Sequence, residues 1–386
     1  MSQKNRYPFD FYLALAANLF FFAGFQWTFA TLPAYLQEIG GGAADIGLAF
    51  GLLSLSAVAS RPAVGWLADH WGRKPVLLLG AVIVCLVPAL YALTRSLWLF
   101  QAERVLHGLG MAAFTTAYTT LIGDLAPPER RGEAMGLSGV TNNVGMLVAP
   151  VLGVSTAAAW GYAAHFWISA AITVLSPLLL LFVTEPERRS KSIPIRQESL
   201  RAVARLRPVW VASLGVTGLA VSFGAVLSFL APFAAEHDLT AAGVYFSAMA
   251  LAMIVAQSGA GWLSDRVGRR AVTIPGLALT VVAVAGLAMV RSDAALVLLG
   301  IAFGTAWGLS RAGMDTSVVE AVPARQRGKA VSVFFTSFDI GVGVGSFGLG
   351  IIAQEGGYGA AFYAAALWSI LALGSYTLWS VESRPE

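Results

Sequence analysis

The feature that most constrains this chain is a series of twelve apolar runs of about 20 residues, which fill nearly all of its 386 residues. A run of about 20 apolar residues can cross a hydrocarbon core of about 30 Å. These runs are too long to be barrel strands, and apolar and polar residues alternate too little in them. We therefore expect helices, whose backbones satisfy their own hydrogen bonds in lipid. The sequence therefore predicts an all-α polytopic membrane protein. The runs cover residues 11–36, 46–68, 75–94, 97–122, 133–157, 160–184, 209–235, 241–264, 271–290, 294–320, 328–353 and 358–381.

The composition agrees with a chain that lies mainly in lipid. It is 57% hydrophobic and 12% charged, whereas soluble domains are about 25% charged. The first run is longer than the core of a signal peptide and lacks a convincing cleavage site, so we expect it to be retained as a helix. A lone cysteine, Cys85, excludes an internal disulfide and a cysteine-rich metal site, and no metal is expected.

The 25 Lys and Arg residues predict the orientation of the chain. Most of them fall on alternate connections and on the two termini, and only Arg95 and Arg291 lie on connections of the other side. The positive-inside rule then places both termini in the cytoplasm, as an even number of passes requires. The net charge of +4 therefore reflects topology and does not indicate a nucleic-acid partner.

The chain repeats itself at an offset of 196 residues, because GWLADHWGRK begins at Gly65 and GWLSDRVGRR begins at Gly261. A tandem repeat predicts two six-helix halves, 1–184 and 209–386, joined by a basic cytoplasmic linker, 185–208. At the same offset the sequence pairs Asp69 with Asp265, Gly72 with Gly268, Arg73 with Arg269, Gly108 with Gly304, Asp124 with Glu320, and Gly145 with Gly341.

Four stretches of the chain resemble signatures of the major facilitator superfamily. GWLADHWGRK is similar to the loop signature of that family, and GWLSDRVGRR is similar to its weaker second copy. RVLHGLG at 104–110 resembles the fourth-helix signature, with His107 where the pattern usually has Gln. The fifth run is similar to the signature of the twelve-span drug:proton antiporters, with Ala149 where that pattern has Gly. Its matching residues are Gly136, Gly145, Pro150 and Gly153.

The resemblance implies two six-helix bundles around a central cavity that opens to the two sides of the membrane in turn. It implies that Asp69 locks the bundles on the cytoplasmic side by meeting the N-terminus of the eleventh helix, which attracts a carboxylate. It also implies that Arg73 pairs with Asp124 and, by the repeat, Arg269 with Glu320. The remaining residues of these expected gating motifs are Gly65, Gly72, Asp265, Gly145, Pro150 and Gly153.

The fifth run has a further mechanical property. Gly145, Ala149 and Gly153 are spaced by four residues, so they form a small-residue face that allows a neighbouring helix to approach closely. Pro150 removes a backbone hydrogen bond and bends the helix. We expect this face to help seal the cavity against proton leak.

Ionisable residues inside membrane helices are costly, so those present are expected to face the interior and mark the transport pathway. In the tenth run, Arg311 and Asp315 are four residues apart and able to pair, and Trp307 lies on the same face. Two interpretations of this pair stay open, a packing element and a substrate contact. For Arg104 in the fourth run, a structural anchor to backbone carbonyls and a substrate contact both stay open.

The proton-coupling site is expected at a desolvated acid, which can hold a proton near neutral pH and lose it when the cavity opens to water. Asp339 is the first candidate, because it has no obvious local partner and occupies the repeat position of Asn143. Glu103 and Asp315 follow. His107, four residues after Glu103, titrates in the right range, although a lone histidine in a bundle is more often a packing residue.

Neutral polar and aromatic side chains complete the expected substrate cavity. One face of the first helix carries Asn18, Phe22, Phe25, Gln26 and Phe29. The other expected cavity residues are Arg104, Asn142, Asn143, Trp307 and Arg311.

The expected function is a proton-coupled secondary active transporter that exports a small polar or amphipathic molecule. Proton-coupled uptake of a small metabolite is the alternative, and a non-transporting membrane receptor or enzyme is a distant one. The chain has no GxxxxGK[ST] nucleotide motif, so the proton gradient is the expected energy source and no cofactor is expected. The expected partners are a small-molecule substrate, protons and the lipid bilayer of the inner membrane. We expect a monomer that binds no nucleic acid.

Overall fold

The structure is a computed structural model that describes residues 7–127, 130–185, 200–320, 322–323 and 327–379. These residues form helices and connecting turns, in agreement with the predicted all-α class. The helices are α1 (Phe9–Trp27), α2 (Leu32–Glu38), α3 (Ala43–Trp71), α4 (Arg73–Leu93), α5 (Leu97–Leu125), α6 (Arg131–Leu181), α7 (Leu200–Ala204), α8 (Arg207–Glu236), α9 (Ala242–Val267), α10 (Arg269–Leu287), α11 (Asp293–Glu320) and α12 (Arg327–Trp379).

The described residues contain ten helical stretches that are long and apolar enough to cross a membrane. Two of them are double passes, because α6 has 51 residues and α12 has 53, and a straight helix of about 50 residues would be about 75 Å long. Gly161 in α6 has a φ of 77° and Gly357 in α12 has a φ of 78°, which break the helix and suit glycine. Each break yields two passes, so the predicted total of twelve is confirmed for the described chain.

Residues 11–36, predicted as one pass, lie in one apolar span, Phe9–Glu38. A turn interrupts its helix, because α1 ends at Trp27 and α2 begins at Leu32. Within the gap, the hydroxyl of Thr28 donates to the carbonyl of Phe25, at 3.2 Å. Pro33 follows and has no N–H to continue the helical ladder. Hydroxyl groups that bond to nearby carbonyls and a proline near the start of the next helix together favour the interruption.

Packing divides the chain into two compact units, one of Met1–Gly40 with Leu55–Lys191 and the other of Gly41–Ser54 with Ser192–Glu386. In the first unit α1 packs on α6, and α4 packs on α5 and α6. In the second unit α8 packs on α12, and α11 packs on α9 and α10. The domain limits predicted from the sequence stay a prediction. The linker residues 186–199 lie outside the described residues, and α7 follows them.

The sequence repeat is also a structural repeat. Gly72 and Gly268, which stand 196 residues apart, both have positive φ, 109° and 91°, where one helix ends and the next begins. Gly80 and Gly276 are equivalent helix-packing positions at the same offset, since a side chain at either would collide with backbone atoms of the following helix. Those atoms also match: Gly110 O and Phe114 N face Gly80, while Ala306 O and Ser310 N face Gly276.

Candidate functional site

Two buried amides connect α1 to α6 in the first unit. The Asn18 side-chain nitrogen donates to Thr141 Oγ1 at 2.7 Å, and the Gln26 side-chain nitrogen donates to the carbonyl of Asn142 at 3.1 Å. Within the described residues, Asn18 Oδ1, Gln26 Oε1 and Asn142 Oδ1 are buried and have no hydrogen-bond partner. A buried acceptor without a partner is costly, so these oxygens are suited to receive a donor from a ligand.

The predicted aromatic face of α1 is present in the structure. The ring centroid of Phe25 lies 4.7 Å from that of Phe29 and 6.4 Å from that of Phe22. Phe25 also meets the imidazole of His107 edge to face, at 5.1 Å. The aromatic face of α1 therefore contacts the predicted polar residues of α5 through His107. Asn143 on α6 is half-buried.

The three ionisable residues predicted on α5 are buried, and a tyrosine from α4 organises two of them. Arg104 Nη1 donates to Tyr91 Oη at 3.4 Å, and Tyr91 Oη lies 3.1 Å from His107 Nδ1. A guanidinium can only donate, so the Tyr91 hydroxyl oxygen accepts from Arg104 and also bonds to Nδ1 of His107. Sequence reasoning missed Tyr91, for which a tyrosine in an otherwise aliphatic run was the available signal.

Glu103 has a different partner, from the connection that follows α4. The hydroxyl of Thr94 donates to one carboxylate oxygen of Glu103, and the other oxygen, Oε2, is buried with no hydrogen-bond partner in the described part of the chain. Glu103 and His107 are four residues apart, yet Thr94 after α4 contacts the first and Tyr91 of α4 contacts the second. The two residues therefore form two buried polar sites rather than one.

The Tyr91 contacts predict a loss of stability when its hydroxyl is removed. Tyr91→Phe leaves buried donor and acceptor groups of Arg104 and His107 without that partner, which costs about 1–3 kcal/mol. The matched control is Tyr245→Phe, because the buried hydroxyl of Tyr245 has no hydrogen-bond partner among the described residues. Thermal unfolding of the detergent-purified protein is the measurement, and equal unfolding temperatures for the two variants would contradict the assignment.

Aromatic rings surround Arg311 in the second unit. The ring centroids of Trp307, Phe334, Phe335 and Phe338 lie 6.0, 5.0, 5.1 and 5.6 Å from Arg311 Cζ. These four rings form an aromatic box around the guanidinium. Trp307 was predicted from its spacing on α11, whereas the three phenylalanines of α12 were missed, although their spacing places them within one turn of each other.

The ion pair between Arg311 and Asp315 that the spacing predicted is present. Arg311 Nη2 lies 3.2 Å from Asp315 Oδ1, and the side chains are 10% and 38% exposed. Outside the box, Phe223 of α8 packs on Trp307 with centroids 4.6 Å apart. The cation is therefore covered by rings, while its carboxylate partner is partly open.

Asp339 of α12 is half-buried. The expectation that it has no local partner is wrong, because Asp339 takes part in an interaction within the structure. Its role in proton coupling stays a prediction that rests on its position inside a membrane helix and on the amide at the matching position of the first half.

The basic residues of the two repeated loops make contacts at the starts of α4 and α10. Arg73 forms the ion pair with Asp124 that the resemblance implied. Lys74 Nζ donates to the carbonyl of Leu181 at 2.8 Å, and at the repeat offset Arg270 donates to the carbonyl of Thr377.

Two side chains of the predicted gating set, Asp265 and Glu320, lie outside the described residues, as does the predicted pairing of Arg269 with Glu320. The gating roles of Gly65, Asp69 and the other loop residues stay predictions.

Glu185 caps the N-terminus of α4. Its two carboxylate oxygens accept hydrogen bonds from the backbone N–H groups of Arg73 and Lys74, at 2.9 and 3.1 Å. Glu185→Gln leaves one acceptor oxygen and removes the charge that the helix N-terminus favours, so we expect a loss of about 1 kcal/mol in unfolding free energy. The control is Glu38→Gln in the exposed pair with Arg95, for which about 0–1 kcal/mol is expected. An unfolding midpoint that Glu185→Gln leaves unchanged would contradict the cap.

The small residues of the fifth pass lie against α1, as predicted. A Cβ added to Gly145 would lie 3.0 Å from the backbone nitrogen of Ala23, and one added to Gly153 would collide with the carbonyl of Trp27. Pro150 lies between them inside α6. Close helix approach is therefore confirmed, and the sealing role stays a prediction.

Twelve apolar passes, an internal repeat and buried polar clusters in each half define a polytopic membrane transporter built from two related bundles. The family model described as Major Facilitator Superfamily matches residues 14–312 and 220–386. The chain belongs to the major facilitator superfamily.

Relatives of known name extend over almost the whole chain. It is 24% identical over 381 residues to multidrug resistance protein MdtG of Rahnella sp. (strain Y9602), which covers 94% of this chain and 91% of the relative. It is 24% identical over 348 residues to the multi-drug resistance efflux pump PmrA of Streptococcus pneumoniae serotype 4, with 87% of each chain covered. Among solved structures, a bacterial homologue of the human lysosomal transporter Spinster, inward-facing and unoccupied, matches with a TM-score of 0.83 at 18% identity and covers 97% of each chain.

Proposed function

We propose that this protein exports a small molecule from the cell in exchange for protons. The observation that carries the proposal is its similarity, along 94% of its length and 91% of theirs, to proteins named for multidrug resistance. The fifth-pass glycines, packed on α1, support the same class of exporter. No cofactor is required, because one proton that enters down a potential of 100 mV supplies about 2.3 kcal/mol.

The buried polar groups supply the parts that such a cycle needs. An exporter must hold a proton away from bulk water and release it inside the cell, which requires an acid or imidazole in a desolvated site. Glu103, His107, Asp315 and Asp339 are the candidates in this chain. The unpaired amide oxygens of α1 and the cation at Arg311 offer contacts for a polar or amphipathic substrate.

Transport in inverted membrane vesicles tests the direction and the coupling together. Vesicles that contain the protein are energised to be acidic inside, and the accumulation of a panel of fluorescent amphipathic compounds is followed. We expect accumulation that collapses when a protonophore is added. Accumulation only in right-side-out vesicles under an inward proton gradient would favour the alternative, proton-coupled uptake. Transport that the protonophore leaves unchanged in both vesicle orientations would overturn proton coupling.

The proposed setting is the inner membrane, with both termini in the cytoplasm and a monomer as the transporting unit. Single cysteines introduced near each end, in a background with Cys85 replaced by Ala, are labelled in intact cells with a membrane-impermeant maleimide. Both should react only after the membrane is opened. Labelling of one terminus in intact cells would overturn the orientation, and a dimer mass in detergent-corrected light scattering would overturn the monomer.

A further inference from the structure

The guanidinium cation of Arg311 lies inside the aromatic box. The four rings lie 5.0–6.0 Å from its Cζ atom, a separation at which an aromatic face attracts a guanidinium. This attraction holds the cation in place without neutralising it. Asp315 supplies the counter-charge, at 3.2 Å.

The pair between Arg311 and Asp315 is poorly optimised. A helical pair four residues apart is more favourable when the acid precedes the base, and here the base comes first. The pair has a single close contact, Nη2 to Oδ1, whereas strong guanidinium–carboxylate pairs are bidentate. A guanidinium has five N–H donors in a planar fork, so Arg311 can receive a better-placed second carboxylate.

Two residues of the site are partly exposed. The Asp315 side chain is 38% exposed and Phe335 is 44% exposed, while Phe334 is 1% exposed and forms the closed side of the box. A pair that served only to fix packing would need both charges covered and satisfied, because buried charges are costly when partly paired. The exposed parts of Asp315 and Phe335 are the side from which a ligand would approach the guanidinium.

We propose that Arg311 and the aromatic box bind the carboxylate of a flat aromatic acid, which displaces Asp315 from the guanidinium. The ligand carboxylate takes the bidentate position on Arg311, and its ring packs in offset or edge-to-face contact with Trp307 and Phe338. This assignment names the substrate class of the exporter proposed above and rests on that function.

Calorimetric titration of the full-length protein in detergent tests the binding, with three probes of the same ring system. These are 2-naphthoate, the neutral 2-naphthamide and the cation (2-naphthylmethyl)trimethylammonium. We expect 2-naphthoate to bind at least about tenfold more tightly than the amide, as a charge-assisted bidentate contact allows. Equal binding of the amide, or tighter binding of the cation, would overturn the proposal. Octanoate that binds as tightly as 2-naphthoate would overturn the aromatic part of it.

Three variants locate the binding at Arg311. Arg311→Gln should abolish 2-naphthoate binding, and Asp315→Asn should tighten it about fivefold, because the competing carboxylate is gone. The matched control is Arg291→Gln, which removes the same charge from the exposed connection before α11 and should leave the affinity unchanged. An Arg311→Gln protein that binds 2-naphthoate normally would overturn the assignment.

A conservative variant keeps the test decisive if Arg311→Gln does not fold. Arg311→Lys retains the charge but loses the planar fork, so we expect about tenfold weaker binding of 2-naphthoate. An unchanged affinity would contradict the bidentate contact. Titration in detergent uses no gradient, so absent binding together with proton-driven export of neutral or cationic compounds would reject the substrate class and leave the export function intact.

Discussion

Replacing Gly80 or Gly276 with leucine is expected to prevent correct assembly of the half that carries the change. At both positions an added Cβ meets backbone of the next helix, and at Gly276 it also meets the Ser310 hydroxyl, at 2.5 Å. A Cβ at Gly276 would lie 2.8 Å from Ser310 N and 3.0 Å from Ala306 O. Overpacking commonly costs about 1–3 kcal/mol when side chains can move, and a helix backbone can move away only as a whole. We therefore expect at least the upper end of this range.

The repeat adds a second expectation. Gly80 and Gly276 make equivalent contacts in the two halves, so the two substitutions should have similar effects. Yield of monodisperse protein after detergent extraction and the unfolding temperature are the measurements. Gly139→Leu in α6 and Gly259→Leu in α9 are matched controls, since a Cβ at either glycine has no heavy atom within 4 Å. Leucine is a better helix former than glycine by about 1 kcal/mol, so the controls should be neutral or slightly stabilised. Losses in the controls equal to those at Gly80 and Gly276 would contradict the packing argument.

The fold was predictable because its determinants are local or repeated in the sequence. Apolar length gives the passes, and the offset of 196 residues relates the two halves. The same offset joins Gly161 to Gly357, the two glycines that separate the paired passes, and neither was singled out from the sequence. The interruption between Trp27 and Leu32 was not predictable from apolar length, because threonine hydroxyls and a proline produce it without a change in hydrophobicity.

The candidate site was predictable only where its residues share one helix. Arg311 and Asp315 pair as their spacing indicated, since i and i+4 positions lie side by side. The sequence does not encode directly which helix faces which. Tyr91 between Arg104 and His107, and the α12 phenylalanines around Arg311, therefore emerged only when the helices were packed.

Asp339→Asn is expected to uncouple the proposed export from the proton gradient. For a neutral substrate exchanged for one proton at 100 mV, the 2.3 kcal/mol available supports a substrate gradient of about 50-fold. Asparagine has the size of aspartate but does not bind or release a proton near neutral pH. The steady-state gradient of substrate should therefore fall towards onefold. Exchange of labelled for unlabelled substrate, which needs no proton, should continue. Accumulation and exchange are measured in the same proteoliposomes.

The comparison of acids decides whether Asp339 itself carries the proton. Glu355→Gln, at an exposed position of α12, removes a carboxylate from the same helix and should leave the 50-fold limit intact. An Asp339→Asn protein that still builds the gradient would reject Asp339. A collapse of the gradient in Glu103→Gln or Asp315→Asn, with exchange preserved, would then identify the carrier. Because exchange and accumulation share the substrate site and differ only in the proton step, their separation distinguishes lost coupling from lost binding or folding.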